Sequence, residues 1–445
     1  MLGGMTPRLH GTIISIFSRR TVCIALALIA TFTFRVFGEE ARSVGSAQFD
    51  PQVATKAYLD RMTANEKARS DAYFEGGYWL QLWDFLYGAG IAVLLLQTRV
   101  SARMRELACH WARFKPLQTW IYAVQYIVLT SVLAFPLSVY SGFLREHDYK
   151  LATQNFGGWL GDWAKGLLVG VIIGGVMMMA LFGVVRKLTR TWHIWGAIVV
   201  LVFFVVLAVI SPVFIAPLFN KYTALNKPEV VDPILSLARA NGIHADTIYE
   251  FDASRQSKRV SANVSGILNT MRISLNDNLL NRCSLAEIKA VMGHEMGHYV
   301  LNHVYKILLF ATIVIVMGFA FLHWALGFLL GRFGTRWDIK GVGDLAVVPL
   351  AALLFSVFMF VLTPITNSFI RMQEAEADIF GLNASREPDG FAEAALKLGE
   401  YRKMQPGPIE EWIFFDHPSG ATRIRTAMQW KAENLLASES VPVNE

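Results

Sequence analysis

The chain alternates between long apolar runs and short segments rich in lysine and arginine. An α-helix rises about 1.5 Å per residue, so about 20 apolar residues cross the ~30 Å hydrocarbon core of a bilayer. The pattern therefore predicts spanning helices, with a break at Pro212 in the fourth of them. The predicted spans are residues 79–97, 117–140, 166–185, 195–215, 307–330 and 345–365.

A further apolar run, residues 21–34, lies near the N terminus and is shorter than the others. Arg8, Arg19 and Arg20 precede it, as in a secretory signal peptide. No small-residue cleavage site follows at once, although residues 45–47 read Gly-Ser-Ala. We favour a retained spanning helix, which brings the expected number of spans to about seven, over a cleaved signal.

Composition agrees with a membrane protein. Hydrophobic residues make up 54% of the 445 residues and charged residues 17%, whereas soluble domains carry about 25% charged residues. Basic loops commonly flank membrane spans, so the net charge of +6 requires no nucleic-acid partner. The three cysteines, Cys23, Cys109 and Cys283, form neither a disulfide framework nor a cysteine zinc motif.

A soluble insert, residues 216–306, separates the spans. Within it, residues 228–241 predict a helix that Gly242 ends. Alternating apolar positions predict strands at residues 247–251 and 271–275, with a third at 260–266. A small sheet therefore precedes the most informative motif of the chain.

That motif is His294-Glu295-Met296-Gly297-His298. Residues four apart share a helix face, so His294 and His298 can bind one zinc ion. Glu295 lies beside them and can act as general base toward a water activated by the metal.

The local sequence predicts the helix that this motif needs. Ser284 and Glu287 form a capping box at its start. Gly293 and Gly297 each cost about 1 kcal/mol relative to alanine within a helix. We expect these glycines to allow another backbone or a substrate to approach closely.

A catalytic zinc usually has three protein ligands. His303 does not have the spacing of a third ligand, and we expect it at a surface or interface. Glu374 and Asp378 are four residues apart on a predicted helix after the last span. Glu374 can bind zinc while Asp378 orients a ligating histidine, and Glu376 lies on another face. The alternative is a solvated acidic face beside lipid headgroups.

Together these motifs resemble the zinc-dependent CAAX prenyl endoproteases of membranes and their bacterial relatives. The resemblance covers most of the chain. It includes the metal motif, Glu374 to Asp378 with Arg371 before them, and Asp416-His417-Pro418 followed by Arg423. Residues 217–221 and 252–266 are similar to further segments of that family.

The resemblance implies one Zn²⁺ per chain, bound by His294, His298 and Glu374. It further implies Glu295 as general base and His417 as stabiliser of the tetrahedral intermediate. The expected supporting residues are Arg371, Asp378 and Arg423, and the expected substrate-binding strand contains Ser261, Ala262 and Asn263. The family usually has Asn-Ala where this chain has Ser261-Ala262, which leaves substrate preference open.

The expected fold class is an all-α polytopic membrane protein, about seven helices around a water-filled chamber, with a small α+β metalloprotease domain. An interior of this kind would suit Gln81 and Asp84 within a span, although Asp84 could instead lie at the membrane interface. The expected parts are a membrane domain (1–215), the metalloprotease insert (216–306), two spans (307–370) and a soluble part completing the zinc site (371–445).

The expected function is an integral-membrane zinc metalloendopeptidase that hydrolyses peptides or membrane proteins, with or without a prenyl group. Its partners are this substrate and the lipid bilayer. One alternative is a heat-shock-type quality-control protease with the same zinc centre. A more remote one is a transporter or receptor with a structural metal site.

The basic loops predict the sidedness of the chain. Loops 98–116, 186–190 and 332–340 lie on one face of a seven-span arrangement, and cytoplasmic loops are rich in lysine and arginine. The insert then faces the periplasm from the cell inner membrane. The eukaryotic members of the resembled family place zinc on the cytosolic side, so the two arguments disagree; we favour the charge count.

Overall fold

The computed structural model describes residues 49–265 and 272–436. The apolar run 21–34, with its two interpretations, lies outside the described residues, as do the last residues of the predicted soluble tail. Helices dominate the described chain, and a small sheet lies in the insert. The expected fold class is confirmed, with six rather than seven candidate spans among the described residues.

The candidate spans are longer than their apolar cores. Before the insert, the helices are α1 (Pro51–Leu59), α2 (Ala64–Gln97), α3 (Val100–Trp111), α4 (Lys115–Val139), α5 (Arg145–Asp148), α6 (Phe156–Lys187) and α7 (Trp192–Ile210). A π-helical turn, Tyr140–Leu144, joins α4 to α5. The four candidate spans of this part are α2, Lys115–Asp148, α6 and Trp192–Leu218.

Helix boundaries follow capping residues rather than hydropathy. The side chain of Thr63 accepts a hydrogen bond from the amide of Glu66 and so starts α2 well before the apolar run. Asn155 caps α6 in the same way, so residues 156–163, ahead of the predicted span 166–185, form its first two turns. Capped polar turns extend a helix without adding hydrophobicity, and a hydropathy pattern therefore misses them.

The break predicted at Pro212 is present. Helix α7 ends at Ile210, and a π-helical turn, Ser211–Ile215, and a 3-10 turn, Ala216–Leu218, follow it. Proline has no amide hydrogen and disrupts regular i to i−4 bonding. The chain leaves the predicted membrane region at this point and enters the insert.

The insert contains a four-stranded sheet in the order β1-β2-β4-β3. Its elements are β1 (Tyr222–Ala224), α8 (Pro228–Ala240), β2 (Ile248–Phe251), β3 (Ala262–Ser265) and β4 (Arg272–Asn276). β4 pairs in parallel with β2 and antiparallel with β3, so β3 is an edge strand. The first strand, β1, was not predicted, because it has only three residues.

The remaining helices bring the soluble parts together. They are α9 (Asp277–Arg282), α10 (Leu285–Val300), α11 (His303–Phe333), α12 (Val348–Ser385), α13 (Pro388–Leu398), α14 (Pro408–Phe414) and α15 (Gly420–Lys431). One hydrophobic core joins the sheet to α10 through buried Ile248, Ile273, Leu275, Ile288 and Met292. Helix α10 is thereby fixed on the sheet.

Helix α12 connects the predicted membrane region with the metal motif. The last span was predicted to end at residue 365, but α12 continues for 38 residues to Ser385. At about 1.5 Å per residue it is ~57 Å long, well beyond the ~30 Å of a hydrocarbon core. Its C-terminal part can therefore project out of the bilayer, and Glu374 and Asp378 lie on this part.

Candidate metal centre

The helix that carries the histidines begins at the predicted capping box. The amide of Ser284 donates to Glu287 Oε2 over 2.6 Å, and the amide of Glu287 donates to Ser284 Oγ over 3.4 Å. The α10 helix is then continuous to Val300, so His294 and His298 share a face. Their Nε2 atoms are 3.1 Å apart.

Two glycines of α10 allow α12 to approach it closely. A Cβ on Gly293 would lie 2.9 Å from the carbonyl oxygen of Gly381, and one on Gly297 would lie 3.2 Å from Cα of Ala377. A Cβ on Gly381 would lie 2.7 Å from the amide nitrogen of His294. The expected close approach is therefore that of another backbone, and it places the acidic turns of α12 beside the histidines.

The structure brings the three predicted ligands together. His294 Nε2 lies 3.2 Å from Glu374 Oε2, and His298 Nε2 lies 3.4 Å from Glu374 Oε1. Donors bound at ~2.0–2.1 Å to one tetrahedral ion are about 3.3 Å apart, so this spacing fits zinc. Glu374 Oε2 is also buried and receives no well-aligned hydrogen bond from the described residues. A buried carboxylate oxygen of this kind is suited to a cation.

Asp378 contacts the first histidine, His294. Its Oδ1 lies 2.8 Å from His294 Nδ1, which leaves Nε2 directed at the ligand cluster. Arg423 Nε donates to Asp378 Oδ2 over 2.9 Å, and the guanidinium contacts the other oxygen as well. Burial alone would lower the pKa of His294, but the hydrogen bond to Asp378 and the proximity of Glu374 raise this pKa to about 9.

His303 corrects an expectation. It is only 1% exposed, and its Nδ1 lies 2.9 Å from Nδ1 of His298. Its Nε2 lies 3.1 Å from Glu376 Oε2. Helix α10 ends just before Asn302, whose φ of +58° lies in the left-handed region. The helical phase restarts there, so spacing along one helix could not locate His303.

The second ligand is therefore supported by a chain of hydrogen bonds that the sequence did not reveal. His303 contacts His298 and in turn contacts Glu376. In the same way, Asp378 contacts His294 and in turn contacts Arg423. Burial lowers the pKa of His298 to about 4, so its ring is neutral at neutral pH. A metal-binding imidazole must be neutral.

Glu295 lies on the wall of a cavity of about 180 Å³ that also includes His294, His417 and Arg423. Burial raises the pKa of Glu295 to about 7, and the charge of His294 only partly opposes this. A general base works best when its pKa is near the working pH. The electrostatic surroundings thus favour the predicted role of Glu295.

His417 reaches the centre from the segment between α14 and α15. Its Nε2 lies 3.3 Å from Glu374 Oε2, and its Nδ1 lies 2.7 Å from Asp416 Oδ1. Burial alone would raise the pKa of Asp416, but the hydrogen bond to His417 together with the charges of His417 and Arg402 lowers it. Asp416 therefore stays ionised and orients the ring, a role that the sequence motif did not assign.

Arg371 supports this segment rather than the metal ligands. Its Nη1 donates over 2.8 Å to the carbonyl oxygen of Glu411, and it also contacts the carbonyl oxygen of Phe415. These carbonyls belong to the end of α14, just before Asp416. Arg371 thus links α12 to the loop that carries His417.

The predicted substrate strand is partly placed at the cavity. Ser261 and Ala262 line it next to Glu295, whereas Asn263 pairs with Ser274 within the sheet. Just before the strand, Arg259 donates over 2.7 Å to Glu146 Oε2. This bond ties the strand to α5 outside the sheet.

Comparisons with known proteins agree with this geometry. Residues 51–221 match the family model described as CAAX prenyl protease N-terminal, five membrane helices, and residues 224–431 match the model of peptidase family M48. The chain belongs to peptidase family M48. It is therefore a multi-pass membrane metalloendopeptidase, of a family whose members are zinc metalloproteases.

Individual relatives cover most of this M48 protein. It is 29% identical over 352 residues to the uncharacterized metalloprotease YhfN of Bacillus subtilis, covering 77% of this chain and 82% of the relative. It is 28% identical over 321 residues to CAAX prenyl protease 1 of Saccharomyces cerevisiae, covering 68% and 70%. The crystal structure of S. mikatae Ste24p has the same fold, with a TM-score of 0.71 at 21% identity over 92% of this chain and 98% of that one.

Proposed function

We propose that this M48 protein binds one zinc ion per chain through His294, His298 and Glu374 and hydrolyses peptides delivered to the cavity beside them. The observation that carries the proposal is the convergence of these three donors, 3.1–3.4 Å apart, from α10 and α12. When bound, the metal supplies Lewis acidity, which polarises a carbonyl and makes water acidic enough to lose a proton near pH ~7.

The residues of the chain perform the remaining steps. Glu295 accepts the proton of the attacking water at its carboxylate and passes it to the leaving amine. His417 Nε2 faces the same site, while Asp416 holds Nδ1. With protons on both ring nitrogens, Nδ1–H toward Asp416 and Nε2–H toward the site, His417 donates to the oxyanion that forms when the carbonyl is attacked, an interaction typically worth about 100- to 1000-fold in rate.

An extended peptide fits beside the edge strand β3. Strand β3 pairs on one side with β4, and an added strand would use backbone hydrogen bonds on its other side. Ser261 and Ala262 would then hold the peptide against Glu295. The role of Asn263 in binding substrate remains part of this proposal.

For the substrate, we propose the C-terminal region of a peptide or membrane protein, with or without a prenyl group. The support is the similarity to proteins named CAAX prenyl proteases. For the location, we propose the cell membrane with the zinc site on the periplasmic face. The support is the excess of lysine and arginine in the loops at the opposite ends of the spans.

The test uses the purified full-length chain and a quenched fluorescent peptide, offered with and without a prenyl group. We expect zinc-dependent cleavage, and we expect Glu295→Gln to abolish it while the zinc content by elemental analysis stays at one per chain. Full activity of Glu295→Gln would refute the assignment of the base. Cleavage of unfolded membrane proteins, but of neither peptide, would favour the quality-control alternative.

A further inference from the structure

An arginine that makes no direct hydrogen bond or ion pair with its side chain, among the described residues, lies on the wall of the cavity. Arg402 belongs to the segment between α13 and α14, and its side chain lines the cavity together with Glu295 and His417. Its carbonyl oxygen accepts a hydrogen bond from Ser70 Oγ over 3.1 Å, which fixes its backbone against α2. Within residues 49–265 and 272–436, its guanidinium makes no hydrogen bond or ion pair.

Unlike Arg402, the neighbouring cations each contact a carboxylate. Arg423 is paired with Asp378, and Lys403 lies 2.8 Å from Glu410 Oε1. Arg282 contacts Glu400. Each of these charges is in direct contact with a carboxylate, whereas no carboxylate of the described residues contacts Arg402, and Asp416 and Glu374 act on it only at a distance.

A half-buried guanidinium without an acceptor is unfavourable. It carries five N–H donors, cannot lose its proton at ordinary pH, and has lost part of its hydration. Burial, reinforced by the like charge of Arg423, lowers the pKa of Arg402, although the charges of Asp416 and Glu374 partly oppose this. Its donors can be compensated by an acceptor on a molecule in the cavity, because Arg402 lines that cavity.

The rest of the cavity indicates the kind of acceptor. Much of its wall is apolar, built by Val260, Leu279, Val291, Phe391 and Leu398. Its volume of about 180 Å³ holds several water molecules, which the end of a short peptide can displace. An apolar side chain next to a carboxylate would satisfy both the wall and Arg402.

We propose that Arg402 binds a carboxylate of the substrate and thereby sets its specificity. The chemistry is shared by the free C terminus of a peptide and by an acidic side chain. The apolar wall favours the C terminus, because the side chain of the last residue can pack there while its carboxylate meets Arg402. The inference rests on the proposed peptidase function and adds to it the group that the enzyme recognises.

The experiment compares three quenched peptides of one apolar sequence: a free acid, the same peptide with a C-terminal amide, and an amide that carries glutamate at its last position. For the unaltered enzyme we expect kcat/KM to be about 10- to 100-fold higher for the acid than for the amide. Arg402→Gln should bring this ratio to about 1, because it removes the charge that distinguishes the acid from the amide. Arg402→Lys should keep part of the preference, because it keeps the charge.

Preference for the glutamate peptide over the free acid would identify an acidic side chain as the natural carboxylate. Arg282→Gln is the matched control, since it removes a neighbouring arginine already bound to Glu400, and its acid-to-amide ratio should equal that of the unaltered enzyme. Equal cleavage of acid and amide by the unaltered enzyme would overturn the proposal. So would an equal loss on both peptides in Arg402→Gln.

Binding gives a readout that does not depend on turnover. Fluorescence anisotropy of labelled acid and amide on the Glu295→Gln variant should show the same 10- to 100-fold preference, of about the size of one charge-assisted bond. Combining Glu295→Gln with Arg402→Gln should remove it. If no peptide is cleaved by any variant, the proposed function fails, while this binding difference still tests Arg402.

Discussion

At the scale of single residues, the role of each histidine follows from what its second nitrogen contacts. Asp378 fixes His294, His303 fixes His298, and Asp416 fixes His417. A contact of this kind selects the tautomer and the ring orientation and raises the basicity of a metal ligand. The imidazole rings of His294, His298 and His417 are thus directed to one point.

The affinity for zinc should depend on pH through His294. In the metal-free protein the pKa of His294 is about 9, so below that pH its ring carries a proton that zinc must displace. Affinity should therefore rise with pH, by about tenfold per unit between about pH 6.5 and 8.5. Competition with a chromogenic chelator measures it, and an affinity independent of pH would contradict the charged state of His294.

The support given by His303 can be measured directly. His303→Ala removes the hydrogen bond to His298 and should weaken zinc binding by about 10- to 100-fold. His244, which is exposed and is not among the residues of the candidate centre, provides the control, since His244→Ala should bind zinc like the unaltered protein. Equal zinc affinity in both variants would show that His303 packs against its neighbours without supporting zinc binding.

At the scale of elements, the centre depends on two helices in backbone contact. Local sequence predicts α10 well, because the capping box and the spacing of the histidines are properties of one helix. The contact of Gly293 with Gly381 joins residues far apart in the chain, and the sequence indicated only that something would approach. This contact determines the distance from the histidines to Glu374.

Gly293→Ala should separate the two helices. The added Cβ would lie 2.9 Å from the carbonyl oxygen of Gly381, and overpacking of this kind costs about 1–3 kcal/mol. We expect a lower midpoint of thermal unfolding in detergent and a lower zinc content. Gly327→Ala on α11 is the matched control, because nothing lies within 4 Å of its added Cβ; a similar loss in both variants would argue against a specific contact.

At the scale of the whole molecule, the order of the candidate spans sorts the loops into two sets. The segments 98–114, 188–191 and 334–344 follow alternate spans and lie at one end, while the sheet insert and the part after α12 lie at the other. The candidate site contains residues from the insert and from the part of the chain after α12. Family membership and the geometry of the centre thus require both parts to be on one face.

A reporter that is active only outside the cytoplasm tests which face this is. Fused after Glu445, it should be active, and inserted in the loop 334–344, it should be silent, because that loop belongs to the set rich in lysine and arginine. The reversed pattern would place the zinc site in the cytosol. Activity or silence at both positions would contradict the order of spans.

The sequence by itself determined the apolar spans, the helix of the metal motif and the candidate ligands. These features depend on hydropathy, capping and spacing along one helix, which act between near neighbours in the chain. Only the tertiary structure decided that His303 supports His298 and that Arg371 holds the loop of His417. It also decided that Arg402 lines the cavity with no direct hydrogen bond or ion pair to its side chain from the described residues. These contacts form where a helix restarts in a new phase or where segments distant in the chain meet. No local sequence pattern determines the distances between such segments.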